Sequence, residues 1–294
     1  MNALTGKASS GVPTLADRVP PHAFFVGSAI FHYLGPSFAV LLFARVPVAG
    51  VAWLRIVSAA LVFAVWRKPW RAFFVATRKA QWTMLALGGV FATMNYCFYR
   101  AIAELPLGTV AAIEFMGPVA LALVGARSVR NLAALALTVS GVYLLTELRF
   151  GGSPQAFFWA FANAVLFTLY IVLAHAVSRS DPATSPIDRL GASMIVAGVM
   201  ISPLGFADAA SALLDPIALA AGCAVGISSS VIPYVFDQLA MRRLPRSTYA
   251  LFVALLPATA VIIGVIVLRQ VPSALELAAV ALVVAGVALH RPTA

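Results

Sequence analysis

The chain has 294 residues, of which 62% are hydrophobic and only 10% charged, with a net charge of +10. Soluble domains carry about 25% charged residues, so composition and a mean hydropathy of +0.97 exclude a soluble globular fold and place the chain in a membrane. The positive charge sits in short stretches between apolar runs, not along one amphipathic face, which argues against nucleic-acid binding.

Residues 1–20 are polar and rich in Gly, Ser and Pro. No cleavable signal peptide is evident, so this segment reads as a disordered cytoplasmic tail. A bilayer span needs about 20 apolar residues, with a range of roughly 17–25. Ten runs qualify in chain order: 23–43, 48–66, 82–103, 107–126, 130–147, 156–177, 189–206, 216–238, 246–268 and 273–289. Pro47, Pro69, Pro106, Gly151, Gly152, Pro182, Pro216 and Pro272 punctuate the short connections. Only helices and closed barrels satisfy their backbone in lipid, and these runs lack barrel alternation. The expected fold is an all-α membrane protein of ten transmembrane helices. Cys97 and Cys223 both fall inside apolar runs and read as small apolar side chains. Neither a disulfide, a metal nor a cofactor is implied.

Orientation follows from Lys and Arg. With the N-terminus in the cytoplasm, the outer loops hold only Arg45, Arg100, Arg149 and Arg269. The inner side collects Arg67, Lys68, Arg71, Arg78, Lys79, Arg127, Arg130, Arg179, Arg189, Arg242, Arg243 and Arg246, with Lys7, Arg18 and Arg291 in the tails. Both termini are therefore expected in the cytoplasm. Trp66, Trp70 and Trp82 lie among the inner basic residues and read as an interfacial belt over anionic headgroups.

The chain also repeats itself. LPLGTVAAIEFMGPVALAL begins at Leu105, and LPRSTYALFVALLPATAVI begins at Leu244, at a constant offset of 139 residues. Pro106 meets Pro245, Thr109 meets Thr248, Ala111 meets Ala250 and Pro118 meets Pro257. The following spans end alike, in VSGVYLL and VAGVALH. Five spans separate the copies, so the second enters the membrane from the opposite side. The expected organisation is a first five-helix unit at 23–147 and an inverted second at 156–290 around a central cavity. Gly117, Pro118 and Pro257 sit near mid-membrane. A proline there frees a carbonyl, either as a tolerated kink or as a bend that widens the cavity.

Charge inside the membrane marks the candidate site. Arg55 and Glu114 each lie about seven residues from the outer end of their span, roughly 10 Å deep. An ionised group at that depth costs roughly 2.5–3.5 kcal/mol on insertion scales. Two readings stand: a buried pair that fixes helix packing, or a seat where Arg55 takes the carboxylate of a zwitterion and Glu114 its ammonium. Asn95, Tyr96 and Tyr99 occupy the outer half of the third span, and Asn163 and Tyr170 share a face of the sixth. Tyr234 follows Pro233, where a bend aims it inward. These residues complete the expected substrate-binding set. Ser228, Ser229 and Ser230 read as packing residues. His32 reads as a core histidine, and Asp237 as a surface partner of Arg242 and Arg243. No phosphate-cradling glycine loop, zinc-spaced cysteine pair or Ser/His/Asp signature is present.

Several pieces resemble the EamA branch of the drug/metabolite transporter superfamily, and within it the bacterial inner-membrane threonine and homoserine exporters. They are Leu54-Arg55 with Lys68-Pro69-Trp70-Arg71, Met94-Asn95-Tyr96 with Phe98-Tyr99, Pro106-Leu107-Gly108 leading to Glu114-Phe115 and Gly117-Pro118, then Pro233-Tyr234 and Leu244-Pro245. The resemblance implies two inverted five-helix repeats and export of a small amino acid (threonine, homoserine or methionine-like) by alternating access, with no enzymatic activity. It departs in the ninth span, where such exporters carry Glu-Pro and this chain has Leu256-Pro257. The second half thus lacks an acid to mirror Glu114. A same-fold carrier of aromatic amino acids, drugs or nucleotide-sugars is the nearer alternative, and a membrane-embedded lipid-modifying enzyme the more distant one. The expected partners are a small-molecule substrate and the bilayer, with no nucleic acid; oligomeric state has no signature in the sequence.

Overall fold

A computed structural model describes residues 20–125, 128–149, 153–179, 184–241 and 256–289. Among them every regular element is helical. The helices are α1 (Pro21–Leu42), α2 (Val48–Arg67), α3 (Trp70–Val75), α4 (Arg78–Ile102), α5 (Leu107–Gly125), α6 (Val129–Arg149), α7 (Pro154–Arg179), α8 (Pro186–Leu214), α9 (Pro216–Gly226), α10 (Ile232–Met241), α11 (Leu256–Leu268) and α12 (Ala274–Leu289), with a π-helical turn at Ile227–Val231. Five are long and apolar enough to cross a bilayer: Ala23–Leu42, Val48–Arg67, Pro154–Ala174, Pro186–Leu214 and Pro216–Phe236. The N-terminal tail, Arg242 and Arg243, and the start of the expected ninth span, 246–255, lie outside the described residues, as do the side chains of Pro118, His175 and Asp237.

Local chemistry sets the helix ends. Proline opens α1, α8 and α9 at a position with no intrahelical N–H partner to lose. Thr77 caps α4 by accepting from Ala80 N, and Asp215 caps α9 by accepting from Ile217 N and Ala218 N. Ser273 and Glu276 form a capping box: Ser273 Oγ accepts from Glu276 N at 3.3 Å and Glu276 Oε2 from Ser273 N at 2.8 Å. Lys68 stops α2 with a left-handed φ of 49°, and Pro69 follows it.

The polarity of the bundle is inside-out. Leu61, Val65, Phe74, Val165, Ile262 and Ile266 are exposed, whereas Arg55, Asn95, Glu114, Asn131, Asn163, Ser229 and Ser230 are buried. Such an exterior suits acyl chains, and such an interior must satisfy its own polar groups. Trp66, Trp70 and Trp82 are all exposed around the α2–α4 connection.

The tightest seam joins α2 to α8. Gly191, Gly198 and Gly205, seven residues apart, place their bare faces against Phe63 and Pro69, Ala60 and Val57, and Ala49 and Trp53. Small residues let the backbones approach, which is how membrane helices gain dispersion energy without a hydrophobic drive. Polar contacts close the seam: Trp53 Nε1 donates to Ser202 Oγ at 2.9 Å, and Arg67 Nε to Asp188 Oδ1 at 2.7 Å. Helix α6 packs on α12 in the same way, with Gly141 against Ala279 O and Val283, and Gly286 against Ala134 O and Thr138. Helix α4 lies on α7 and α8, α1 on the π-helical turn, α10 and α11, and α5 on α6, α7 and α11.

Arg189 departs from expectation. Counted with the inner basic residues at the start of the run 189–206, it is among the largest fully buried side chains. It donates to Val177 O at 2.8 Å, Thr184 O at 2.6 Å and Thr184 Oγ1 at 2.8 Å. A guanidinium can be buried when carbonyls at a helix end, with no intrahelical donor, supply its acceptors.

Replacing Gly286 by Leu will drive α12 off α6 and lower the thermal midpoint of detergent-solubilised protein by several degrees. Gly89→Ala is the control, because a Cβ there meets only the flexible end of Met200 at 3.3 Å; size-exclusion fluorescence on heating measures both.

Candidate functional site

The site begins with a missing hydrogen bond. Pro233, early in α10, has no N–H to give the carbonyl four residues before it. That carbonyl belongs to Ser229, in the π-helical turn. Arg55 donates to this turn: its Nη2 reaches Ser229 O at 3.3 Å, and its Nε reaches Ser230 Oγ at 3.1 Å. The guanidinium also lies over the Tyr99 ring, 5.4 Å from its centroid. Two glycines bring these elements together. A side chain at Gly226 would collide with Ser58 and the Arg55 carbonyl, and one at Gly35 with Ser228 and Ser229.

Glu114 takes its one hydrogen bond from Asn163 Nδ2, at 3.2 Å. Arg55 and Glu114 are both buried, and each is 5% exposed. They make no direct ion pair; the pairs within 4.0 Å among the described residues are Arg45–Asp215 and Arg67–Asp188. Tyr33 Oη, Asn163 Oδ1 and Trp159 Nε1 are buried polar atoms with no hydrogen-bond partner, and the buried Tyr99 and Ser229 hydroxyls lie beside each other and Arg55. Of these residues, Tyr99 and Ser229 touch Arg55, and Asn163 touches Glu114.

A second layer is aromatic. Phe91 packs on Tyr170 and Tyr234 at centroid distances of 5.7 and 5.8 Å, and Tyr170 lies 6.5 Å from Tyr234. Phe167 stacks on Tyr170 at 6.0 Å and meets Phe115 at 6.0 Å. On α4, Phe91, Asn95 and Tyr99 follow one face at four-residue steps, so the layers are about 12 Å apart along the helix. The step between them is Asn95, whose Nδ2 donates to Phe91 O at 2.8 Å within its own helix.

The structure thus sets Arg55 over Tyr99, joins Asn163 to Glu114, and brings Tyr170 and Tyr234 into the aromatic layer. Tyr96 stands apart, edge-on to Trp159 at 5.8 Å, and Arg100 lies over that same indole at 5.9 Å. Gly117 sits where α5 crosses α7, against Thr168 and Ala164 O. Pro257 is buried at the second position of α11. His32 is half-buried and meets Tyr33 edge-on at 5.4 Å. Sequence reasoning missed Ser229 and Ser230 as Arg55 partners. The signal was present, since a polar run just upstream of a mid-span proline marks a freed carbonyl. Tyr33 and Phe91 had no comparable marker.

A separate cavity of about 340 Å³ opens between the α4–α5 and α11–α12 connections, lined by Glu104, Pro106, Thr109, Gln270, Pro272 and Glu276 among others. Gln270 bridges its walls by accepting from Leu107 N at 3.1 Å. None of the sequence-predicted site residues lines it.

The described residues hold no metal-ligand cluster. Charges held in an apolar bundle define a multi-pass membrane transporter, and the comparisons agree. The model of the EamA-like transporter family matches residues 154–290. The threonine/homoserine exporter RhtA of Escherichia coli strain K12 is 31% identical over 256 residues, spanning 86% of this chain and 84% of its own. The threonine/homoserine exporter RhtA of Salmonella typhimurium strain LT2 is 30% identical over 261 residues with the same coverage. One crystal structure matches with a TM-score of 0.57 at 19% identity, covering 92% of this chain and 96% of that one, and so shares the fold. The chain belongs to the EamA-like transporter family; it is a transporter and not an enzyme.

Ser230→Ala leaves Arg55 Nε–H buried without an acceptor, at a cost of about 1–3 kcal/mol. The thermal midpoint of the purified protein should fall clearly below that of Ser228→Ala, which loses only a bond to Val225 O in its own segment.

Proposed function

We propose that this protein is an inner-membrane secondary transporter that exports a small zwitterionic amino acid, of the threonine or homoserine kind, by alternating access. The observation that carries the reading is the separation of Arg55 from Glu114. Both charges are buried without pairing to each other, and each keeps hydrogen-bonding capacity unused. A purely structural pair would close; a seat for a zwitterion stays open. In this reading Arg55, Asn95, Tyr96, Tyr99, Glu114, Asn163, Tyr170 and Tyr234 surround the substrate. The aromatic layer forms its cytoplasmic floor. Gly117, Pro118 and Pro257 are the points where the helices bend.

The pattern of helix neighbours supports two inverted repeats, 23–147 and 156–290. Counting crossings as α1, α2, α4, α5, α6, α7, α8, α9–α10, α11 and α12, the third touches the sixth as the eighth touches the first. The third touches the seventh as the eighth touches the second, and the fourth touches the sixth as the ninth touches the first. The second and seventh, fourth and ninth, and fifth and tenth pair with each other. Each relation survives a shift of five, as a two-fold axis in the membrane plane requires. The charge asymmetry of the loops puts both termini in the cytoplasm.

The printed activity of the relatives supports the amino-acid class. A nucleotide-sugar is less apt, since among the described residues Arg55 is the one cation beside the site and Arg189 is engaged by Val177 O, Thr184 O and Thr184 Oγ1. The rings of Phe91, Phe167, Tyr170 and Tyr234 favour an aromatic side chain as a second reading, which competition by phenylalanine separates.

Proteoliposomes holding the purified protein should move labelled threonine or homoserine well above protein-free vesicles. Glu114→Gln keeps the Asn163 contact and the fold, and should reduce transport to background. A folded variant with undiminished transport rejects the zwitterion seat. Independently, cysteines introduced near residues 5 and 292 should both resist a membrane-impermeant thiol reagent in intact cells.

A further inference from the structure

The elbow between α2 and α4 joins strong positive charge to bare apolar surface. Residues 66–82 hold five cations, Arg67, Lys68, Arg71, Arg78 and Lys79, and no Asp or Glu. Arg67 is committed: its Nε donates to Asp188 Oδ1 at 2.7 Å, and its guanidinium lies 5.6 Å from the Trp66 ring centroid. The other four are exposed, and neither ion pair among the described residues includes them. Beside them Phe74 is 76% exposed and Val75 72%, with Trp66, Trp70 and Trp82 exposed as well. The short helix α3 brings the two kinds of surface together. Its Ala72 and the following Ala76 are buried, and Phe73 packs on a cluster that includes Ala80 and Met84 of α4 and Ala192 of α8. Gln81 Nε2 holds the turn by donating to Phe73 O at 2.9 Å, and Pro69 rests against Gly191 of α8. One edge of α3 is thus fixed to the bundle while Trp70, Arg71, Phe74 and Val75 are left outside. In water such an apolar surface is a liability, and among acyl chains so are unpaired cations. The boundary between headgroups and acyl chains suits both.

We infer that this elbow is a docking surface for anionic phospholipid. Helix α3 lies in the membrane plane, with Phe74 and Val75 among the acyl chains and Lys68, Arg71, Arg78 and Lys79 on headgroup phosphates. Guanidinium forks match phosphate oxygens in pairs, and indoles sit at the level between headgroup and chain. An acidic protein or a nucleic acid would answer the charge and leave Phe74 and Val75 in water. A phospholipid carries the anion and the acyl chains on one molecule. The contact reaches into the bundle as well. Arg67, next to Lys68, is tied to Asp188, so headgroups that hold the elbow also hold the adjoining ends of α2 and α8. None of these residues belongs to the Arg55 and Glu114 layers, so the surface stands apart from the amino-acid reading.

Trp66, Trp70 and Trp82 serve as reporters of the test. The full-length protein is placed in phosphatidylcholine nanodiscs that carry brominated phosphatidylglycerol or, at equal mole fraction, brominated phosphatidylcholine, and quenching of tryptophan fluorescence is read. Trp53 and Trp159, both half-buried, add the same background to every sample. At low salt the anionic lipid should be enriched about threefold over phosphatidylcholine, and about 1 M salt should remove the preference. A combined Arg71→Gln, Arg78→Gln and Lys79→Gln variant should show no preference; Lys68 is kept because it closes α2. Arg269→Gln should retain it. Arg269 is an exposed cation at the other end of α4, since its neighbour Gln270 accepts from Leu107 N. Equal quenching by the two lipids in the native protein at low salt would overturn the inference, as would a preference that survives high salt or the triple substitution in folded protein. If the triple variant fails to fold, the salt series on the native protein decides. Threonine is absent from every sample, so a wrong substrate assignment leaves the result standing.

Discussion

A hydrogen bond from a buried guanidinium to a carbonyl in a π-helical turn holds the centre of this protein together. Pro233 cannot return a hydrogen bond to Ser229 O, and the π-helical turn spreads the backbone just there. In lipid an orphaned carbonyl costs several kcal/mol, and so does a guanidinium without acceptors. Arg55 and Ser229 O cancel each other's penalty. The bond ties α2 to the α9–α10 crossing and fixes where the positive charge stands.

From that point the geometry propagates. With its guanidinium anchored on one side, Arg55 presents its remaining donors to the interior and rests on Tyr99. Glu114 is held from α7 by Asn163 and makes no ion pair with Arg55. The charges therefore polarise the space between them without neutralising each other. An ion pair collapsed onto itself would leave nothing for a solute to gain. Glycine contacts at Gly35 and Gly226 keep the packing close enough to hold the charges apart. The aromatic layer seals one side with dispersion contacts, which can break without stranding a polar group.

Much of this was legible in the sequence. Apolar run lengths located the described helices, five of them long and apolar enough to cross a bilayer, although α8 runs to Leu214, well past the expected end at 206. Arg55, Glu114 and Asn163 stood out because polar groups at such depth are rare, and the structure joins the last two directly. Other features depend on three-dimensional coincidence. Whether Arg55 would meet Glu114 or a backbone carbonyl turns on a helix irregularity at Ile227–Val231 that no residue in it dictates alone. Tyr33 reads in sequence like any buried tyrosine; only its unpartnered hydroxyl distinguishes it. Arg189 misled for the opposite reason. Its sequence context is that of a loop, but a nearby helix end supplied the acceptors that let it sink into the protein.

The α2–α8 seam has a mechanical meaning of its own. Glycines at every second turn of α8 remove the knobs that lock ordinary helices in register, while Trp53–Ser202 and Arg67–Asp188 rivet the pair near its two ends. Two smooth rods fastened at their tips can roll on each other and cannot part. Rotation about such an axle displaces nearby atoms little and distant ones a great deal. The largest excursions thus fall on the helices farthest from the seam, α6 and α12 among them.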